Sequence, residues 1–370
     1  MPIQVEQIEV KIPLVHPFRT SFGVQEKKSA IIVKMTDEEG NVGWGESSLE
    51  ETPGYCYETS STAWMIQTEF LVPAFKRISE SSMPSIEDLH SAFAPIRGHE
   101  FAKTGLESAY WSLLASQKGK PLGEMYGSTK NKIPTGVSIG IQNKIEELLN
   151  RISFFLNQGY KRIKIKIEPG WDYEVLKAIR AEFGDIKLMV DANSAYTLSK
   201  KDVDTLKKLD RFDLMMIEQP LDYQDILMHG KLQRQISTPV CLDESIHTYN
   251  SAVMAIEGDY CRIINIKPGR VGGYYEAKRI AETLGKDKVW LGGMLETGIG
   301  RIHNLFIQAK DEFTIPGDTS GSDRYFAKDI ISPHVTVDDD GYIEVPKEVG
   351  MGFEIREDLL KSYTVRHQIL

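Results

Sequence analysis

The sequence predicts an α/β protein in which a barrel of parallel strands follows a smaller α+β domain. Three observations predict it. Strands open the chain and give way to helical periodicity, short apolar strands then recur every 24 to 27 residues, and helical stretches fill the gaps between them. Strands that alternate with helices are typical of a parallel sheet, and eight such units in about 200 residues match a (β/α)8-type barrel.

The composition is that of a globular protein, with 41% hydrophobic and 26% charged residues in 370. Lys+Arg 44 against Asp+Glu 53 gives a net charge of −9 with no basic block, which argues against nucleic acid or a membrane surface as partner. Cys56, Cys241 and Cys261 lie far apart and indicate neither a disulfide framework nor a zinc ribbon. With no signal-peptide pattern and no run of 18 apolar residues, we expect a cytoplasmic protein.

The first part of the chain predicts three strands followed by helices. Residues 3–14 alternate between apolar and polar, and residues 28–38 and 41–46 form a second and third strand. From about 57 to 118 the apolar spacing is helical. Strands followed by helices, without alternation, predict a separate α+β domain with a three-stranded antiparallel sheet.

The second part predicts eight short apolar strands. They are VSIG (137–140), RIKIKIE (162–168), LMVDAN (188–193), LMMIEQP (214–220), VCLDES (240–245), IINIKPG (263–269), VWLGGM (289–294) and FTIPGD (313–318). A doubly wound open sheet is the alternative, but neither G-x-G-x-x-G after the first strand nor G-x-x-x-x-G-K-[ST] occurs. The tail from about 336 is too short for another unit, and we expect it to pack on the first domain.

Lysines interrupt the second of these strands, although parallel strands covered on both faces normally read as apolar runs. Lys164 and Lys166 alternate with isoleucines, so both lysines share one face of the strand. Because helices should cover the isoleucine face, we expect the lysines to point into the barrel. A half-exposed amphipathic strand is the alternative.

Acidic residues end the next three strands, in Asp191-Ala192-Asn193, Glu218-Gln219-Pro220 and Asp243-Glu244. A helix N-cap or a loop charge is the alternative for each. Three converging carboxylates would repel one another, by on the order of several kcal/mol, unless positive charge lay among them. Oxygen ligands favour Mg²⁺ first and Mn²⁺ second, and no H-E-x-x-H or paired His/Cys spacing indicates zinc.

The sixth strand ends in Lys267-Pro268-Gly269, four strands around the ring from the lysine pair. A surface lysine before a proline is the alternative. A metal flanked by lysines suits proton abstraction next to a carboxylate, because the cation stabilises the enediolate as it forms. The base must be neutral near pH 7, so its pKa must fall by about 3 units from about 10.4. Burial, a second ammonium and a metal all act in that direction.

The order and spacing of these motifs resemble the enolase superfamily over essentially the whole chain. The resemblance implies Mg²⁺ (or Mn²⁺) on Asp191, Glu218 and Asp243. It implies that Lys166 is the acid/base on one face and Lys267 on the other. Lys164 would tune Lys166, and Asn193 and Glu244 would support the metal ligands. The implied fold is a modified (β/α)7β barrel over 126–335, capped by an N-terminal α+β domain over 1–125 that residues 336–370 complete.

Three stretches are similar to the o-succinylbenzoate synthase and N-acylamino acid (N-succinylamino acid) racemase group. They are HPFRTSFG (16–23), KIEPGWD (166–172), and GGMLETGIGR (292–301) together with PGDTSGSDRYF (316–326). The similarity implies a pocket lined by Phe18, Phe22, Ser138, Met294 and Ile299, with a loop near 16–23 closing over it. Plain packing of the two phenylalanines in the cap is the alternative.

The implied function is that of a hydro-lyase, which dehydrates a cyclohexadiene carboxylate to o-succinylbenzoate on the way to menaquinone. Racemisation of N-acylamino acids with the same two lysines is the first alternative, alone or in the same protein. A metal-free aldolase with a lysine Schiff base and a binding protein on an enzyme scaffold are the others. We expect a small-molecule carboxylate as the partner and a homo-oligomeric state.

Overall fold

The N-terminal strands form an antiparallel sheet with apolar residues on its covered face. In the computed structural model, which describes residues 3–20, 23–80 and 82–370, β1 (Gln4–Thr20) pairs with β2 (Gly23–Thr36), and β2 pairs with β3 (Val42–Ser47). The three predicted strands are confirmed, but the first two are longer than predicted. Residues 16–20, expected in a loop over the mouth, belong to β1.

Helices cover this sheet. In chain order the described residues form α1 (Ser60–Ile66), α2 (Val72–Ser79), α3 (Ile86–Phe93), α4 (Glu100–Gln117) and α5 (Leu122–Tyr126), with a π-helical turn over Gln67–Leu71 between α1 and α2. α4 lies directly on β3 because Gly43 and Gly45 have no side chain: a Cβ on either would collide with the α4 backbone around Ala109. The close packing fixes the end of β3 that faces the barrel.

From β5 (Gly136–Ile139) onward at least one helix separates each barrel strand from the next. In chain order this part contains β4 (Lys132–Pro134), β5 (Gly136–Ile139), α6 (Ile145–Asn157), β6 (Arg162–Lys166), α7 (Tyr173–Phe183), β7 (Leu188–Asp191), α8 (Lys200–Leu209), β8 (Ile217–Glu218), α9 (Ile226–Gln233), β9 (Val240–Leu242), α10 (Tyr249–Glu257), β10 (Ile263–Ile266), α11 (Pro268–Val271), α12 (Tyr274–Leu284), β11 (Val289–Leu291) and α13 (Gly298–Gln308). Strands β5 to β11 pair in parallel in chain order. This arrangement confirms the predicted barrel class.

The eighth predicted strand, residues 313–318, is reduced to a single bridge. The carbonyl of Gly317 accepts from the first amide of β5 at 2.8 Å, and the amide of Asp318 donates to the last carbonyl of β11 at 2.9 Å. The segment therefore still closes the ring between β5 and β11. A regular strand does not form because Pro316 has no amide hydrogen, and its carbonyl accepts from the Arg162 guanidinium at 3.1 and 3.2 Å instead.

The C-terminal segment returns to the N-terminal sheet. It contains β12 (Ile331–Ser332), β13 (Tyr342–Glu344), β14 (Glu354–Ile355), α14 (Glu357–Tyr363) and β15 (Thr364–Ile369). β15 pairs antiparallel with β1, which gives the sheet order β15-β1-β2-β3, while β13 pairs with β4 at the entry to the barrel. The division of the chain into domains at 125/126 and 335/336 stays a prediction. No described helix combines the length and apolar character needed to cross a bilayer.

A buried layer inside the barrel supports the strand ends. Met189, Met216, Cys241, Ile263 and Trp290 come from five successive strands or their first flanking residues and pack together. Strand side chains alternate between faces, so a residue two positions further along points to the same side. The acids that end β7 and β8 and follow β9 stand two positions after the first three of these residues. The inward direction of those acids is therefore set by the strand geometry beneath them.

Candidate active site

A cavity of about 440 Å³ lies at the C-terminal ends of the barrel strands, beneath the N-terminal region. Its walls come from both parts of the chain, with Phe18 and Tyr55 on one side and Ser138, Lys166 and Lys267 on the other. Catalytic sites of barrels of this class lie at this face. A molecule in the cavity would therefore contact residues of both parts of the chain.

Three carboxylates meet next to lysines that line the cavity. Asp191 and Glu218 end β7 and β8 directly opposite each other, and Asp243 follows β9. All three side chains are buried, and one oxygen from each lies within 4.8 Å of the others. No His or Cys of the described residues belongs to this cluster. An all-oxygen donor set of this kind fits a hard divalent cation such as Mg²⁺ or Mn²⁺.

Lysine ammonium groups lie among these carboxylates. Lys164 Nζ is 3.1 Å from Glu218 Oε2 and 3.6 Å from Asp191 Oδ2. Lys166 Nζ is 2.5 Å from Asp191 Oδ2, and Lys267 Nζ is 2.9 Å from Asp243 Oδ2. The three lysines are 2%, 7% and 6% exposed, so each has left bulk water and depends on these contacts.

The two candidate bases stand on different sides of the cavity. Lys166 ends β6, Lys267 follows β10 four strands further around the ring, and both side chains line the cavity wall. Each is paired with a different carboxylate, Lys166 with Asp191 and Lys267 with Asp243. A carbon atom held between them could exchange a proton with either lysine.

The charges of the site shift the pKa values of its members. Burial lowers the pKa of Lys164, but the carboxylates of Asp318, Glu218 and Asp191 outweigh burial and raise it. Burial also lowers the pKa of Lys267, but the Asp243 carboxylate outweighs burial and raises this pKa well above its usual range. A lysine base was predicted to have a lowered pKa, whereas the carboxylate beside Lys267 raises its pKa.

Asn193 and Glu244 lie beside the acidic cluster and contact each other. The amide Nδ2 of Asn193 donates to Glu244 Oε1 at 2.7 Å, and the backbone amide of Asn193 donates to Asp191 Oδ1 at 3.0 Å. Burial, together with the charges of Asp243 and Asp191, raises the pKa of Glu244 to about 7. These contacts hold the Asp191 carboxylate in place.

Backbone strain accumulates around the same strand ends. Asn193, Gln219 and Leu295 have φ angles of +40°, +39° and +56°, in the left-handed region that residues with a Cβ disfavour. Each lies in the segment that follows a barrel strand. Strained backbone of this kind persists only where neighbouring contacts hold it, and it is concentrated at functional sites.

Two polar residues of the site were missed by the sequence reasoning although a signal was present. Asn265 Nδ2 donates to Glu218 Oε1 at 2.6 Å, and Asn265 stands two positions before Lys267, on the same face of β10. Asp318 lies 2.8 Å from Lys164 Nζ and 2.6 Å from the Arg162 guanidinium. It is an acid at the end of the eighth strand-like segment, the same position that identified the acids of the other strands.

Three further residues carried no recognisable signal. The Tyr55 hydroxyl accepts from Lys267 Nζ at 3.1 Å and from Arg270 Nη1 at 2.8 Å, and donates to Asp243 Oδ1 at 3.2 Å. Arg270 also forms an ion pair with Asp243. The side-chain oxygen of Gln219 accepts from the Asp243 amide at 2.9 Å. Tyr55 reaches the site from a distant part of the chain, which sequence spacing cannot show.

Some of the predicted pocket residues line the cavity and others do not. Phe18, Ser138 and Met294 line the cavity, and the buried hydroxyl of Ser138 has no hydrogen-bond partner among the described residues. Ile299 is fully buried in the first turn of α13 and is not among the cavity-lining residues, because it packs inside the core. Phe22 lies outside the described residues.

Comparison with known proteins identifies the family of this chain. Residues 147–359 match the family described as "Enolase C-terminal domain-like", and residues 2–127 match "Mandelate racemase / muconate lactonizing enzyme, N-terminal domain". An o-succinylbenzoate synthase of Geobacillus kaustophilus is 45% identical over 369 residues, 98% of this chain and 97% of the relative. An N-succinylamino acid racemase of Thermus thermophilus is 42% identical, covering 98% of each chain.

A solved structure agrees with these sequence relationships. An enolase superfamily member from Listeria innocua superposes with a TM-score of 0.94 at 39% identity, covering 99% of this chain and 98% of that chain. Family, strand order and the arrangement of lysines and acids at the strand ends are therefore consistent with one another. The chain is an enzyme that belongs to the enolase superfamily, in the mandelate racemase and muconate lactonizing enzyme family.

Proposed function

We propose that this enzyme dehydrates a cyclohexadiene carboxylate to o-succinylbenzoate, a step towards menaquinone. The observation that carries the proposal is the placement of Lys166 and Lys267 on different sides of one cavity above three buried carboxylates. That arrangement suits removal of a proton from a carbon next to a carboxylate. Relatives at 45% and 42% identity, from Geobacillus kaustophilus and Bacillus subtilis, carry the synthase name.

Asp191, Glu218 and Asp243 would hold Mg²⁺, or Mn²⁺ in its place. When bound, the cation supplies positive charge where the substrate carboxylate accumulates negative charge. Lys166 then takes the proton from the adjacent carbon and, from the same face, returns it to the departing hydroxyl, so that water leaves. Lys164, whose raised pKa keeps it protonated, places a second positive charge beside that step.

The cap-side residues have a separate role. Phe18 and Tyr55 cover the cavity from the N-terminal region. Covering it limits the access of water to the reacting carbon, and this strengthens every electrostatic interaction inside the cavity. The hydroxyl of Ser138, which has no hydrogen-bond partner within the described part of the chain, can bond a polar group of the substrate.

Racemisation of N-succinylamino acids is the second candidate, and one observation favours it. Dehydration needs a proton acceptor on one face only, whereas racemisation needs one on each, and Lys267 lines the cavity as Lys166 does. The relative from Thermus thermophilus, 42% identical, is named for this activity. Both activities can therefore reside in one site.

One experiment separates the two. The enzyme is incubated with Mg²⁺ in D₂O with the cyclohexadiene carboxylate or with each enantiomer of an N-succinylamino acid, and products are followed by absorbance and by NMR. We expect o-succinylbenzoate to form with the larger kcat/KM. Deuterium uptake in the amino acid without turnover of the cyclohexadiene would make the enzyme a racemase instead. Turnover of neither would overturn both candidates.

A Schiff-base aldolase is distinguished by a different pair of treatments. It would keep its activity in a chelator and be trapped by borohydride with its substrate, whereas the proposed enzyme would lose activity in the chelator and resist trapping. The cytoplasmic location and the homo-oligomeric state stay predictions.

A further inference from the structure

The seventh loop, residues 293–296, forms part of the cavity wall in a conformation that it does not prefer. All four of its residues line the cavity, between the end of β11 and the N-terminus of α13. Leu295 has φ +56°, which is disfavoured for a residue with a branched side chain. Neighbouring contacts must therefore hold the loop in place.

Two side chains at the end of β3 supply such contacts, beside the Arg301 guanidinium, which donates to the Glu296 carbonyl at 2.8 Å. Glu46 Oε1 accepts from the Thr297 amide at 3.1 Å, and Oε2 accepts from the Thr297 hydroxyl at 2.6 Å and the Gly300 amide at 2.8 Å. The Ser48 hydroxyl donates to the carbonyl of Met294 at 3.1 Å. Ser48 thus binds the loop itself at Met294, and Glu46 binds Thr297, the residue that follows the loop.

The local sequence is adapted to this contact. Glu46 is almost fully buried and would be costly to bury without partners, and the N-terminus of α13 offers amide donors to a carboxylate. A Cβ at Gly300 would lie 2.9 Å from Glu46 Oε2, so a glycine at that position permits the close approach.

We propose that Glu46 is a positioning residue that sets substrate selectivity. By fixing the seventh loop, it fixes the part of the cavity wall formed by Met294 and Leu295. The inference rests on the proposed function, because the rigid cyclohexadiene and the N-succinylamino acids, with their variable side chains, would press differently on that wall. Glu46 does not line the cavity, and the lysines have their own partners, so its effect should fall on binding more than on proton transfer.

The chain offers a matched control in Glu107. Its carboxylate accepts from the amides of Tyr274 and Tyr275 at 2.9 and 2.8 Å, at the N-terminus of α12, and from Trp111 Nε1 at 2.8 Å. Glu107 and Glu46 are equally buried, and both reach from the N-terminal region to a barrel helix. Glu107 does not contact the seventh loop and does not line the cavity.

The test compares Glu46→Gln with Glu107→Gln. An amide has one acceptor oxygen, so glutamine at 46 leaves at least one of its three donors unpaired and releases the loop. We expect Glu46→Gln to change the ratio of kcat/KM for the two substrate classes by about fivefold or more, mainly through KM, and Glu107→Gln to keep it within about twofold. An unchanged ratio in Glu46→Gln, or an equal change in both variants, would overturn the proposal.

A second readout needs no substrate. Hydrogen–deuterium exchange should increase over residues 293–300 in Glu46→Gln but not in Glu107→Gln, where the increase should fall on the start of α12. If Glu46→Gln does not fold, Ser48→Ala removes the hydrogen bond from Ser48 to the Met294 carbonyl and should change both readouts in the same direction. Absence of turnover by the wild type would count against the proposed function, whereas unchanged exchange over 293–300 would count against the role of Glu46.

Discussion

Lys164 Nζ lies 2.8 Å from Asp318 Oδ2, and the other oxygen of that carboxylate lies 2.6 Å from the Arg162 guanidinium. Asp318 therefore forms ion pairs with two buried cations that stand on the same strand, two residues apart. The Lys164 ammonium also lies 4.8 Å from the centre of the Trp290 ring, in the buried layer of the barrel. The contact links the site chemistry to the closure of the barrel, because Asp318 belongs to the segment that joins β11 to β5.

Asp318→Asn is expected to weaken both stability and activity. Removing one partner of a buried ion pair leaves uncompensated positive charge, which typically costs about 3 kcal/mol or more of unfolding free energy. We expect kcat to fall by about tenfold or more, because Lys164 loses the group that orients it beside Lys166. Urea unfolding and steady-state kinetics measure the two effects.

The exposed Asp323, five residues further along, provides the control for that change. Asp323→Asn should shift the unfolding free energy by no more than about 0.5 kcal/mol and leave kcat unchanged. Equal effects of the two substitutions would contradict a specific role for Asp318.

Replacing the candidate bases one at a time should separate the two faces of the substrate. Lys166→Ala removes the proposed base for dehydration, and we expect turnover to fall by at least about 10³-fold. With N-succinylamino acids in D₂O, Lys166→Ala and Lys267→Ala should each exchange the α-proton of one enantiomer only, and opposite ones. NMR of the separated enantiomers measures this. Exchange of the same enantiomer by both variants would show that the lysines do not act from opposite faces.

Much of this site follows from the period-two geometry of strands. Lys164 and Lys166 are buried side by side, and the acids of three successive strands meet, because each strand end projects inward from the same layer. The same rule places Asn265 on the inward face of β10, where it contacts Glu218, although an uncharged residue on a strand does not stand out in the sequence.

Contacts between distant segments could not be predicted in this way. Tyr55 bonds Lys267 across 212 residues, and the direction of a loop residue is set by tertiary packing rather than by periodicity. The eighth strand was predicted from its apolar residues. Its backbone ladder does not form, because Pro316 has no amide hydrogen and its carbonyl accepts from the Arg162 guanidinium. Ile299 was assigned to the pocket by similarity of a stretch, whereas the lining residues found nearest to it in the chain are those of the preceding loop, 293–296.

Removing the divalent cation should be detectable without any assay of activity. A ligand that binds only the folded protein stabilises it, by about 2.7 kcal/mol at a hundredfold excess over its Kd. We expect Mg²⁺ to raise the melting temperature of chelator-treated wild type and to have little effect on Asp191→Asn. Because Lys166 is not a ligand, Lys166→Ala should keep the Mg²⁺-dependent rise. An equal rise in wild type and Asp191→Asn would exclude Asp191 as a ligand.

A last expectation concerns pH and a buried acid outside the catalytic site. Glu58 accepts from the amides of Phe101 and Ala102, both at 3.0 Å, at the N-terminus of α4. Burial raises its pKa from 4.5 to about 7, so between those values the folded protein holds a proton that the unfolded chain releases. Stability from this group is therefore fully present below about pH 4.5 and is lost as the pH rises towards 7.

The unfolding free energy of Glu58→Gln should accordingly fall less steeply over this range than that of the wild type. The difference in slope should approach one proton, about 1.4 kcal/mol per pH unit, in urea unfolding series between pH 4.5 and 7.

Thr59→Ala is the control, because the Thr59 hydroxyl accepts from the Thr62 amide as the N-cap of α1 and cannot titrate. It should lower the unfolding free energy by about 1 kcal/mol at every pH and leave the slope unchanged. Parallel curves for wild type and Glu58→Gln would show that Glu58 is ionised throughout the range, and the amide contacts at α4 would then have to outweigh its burial.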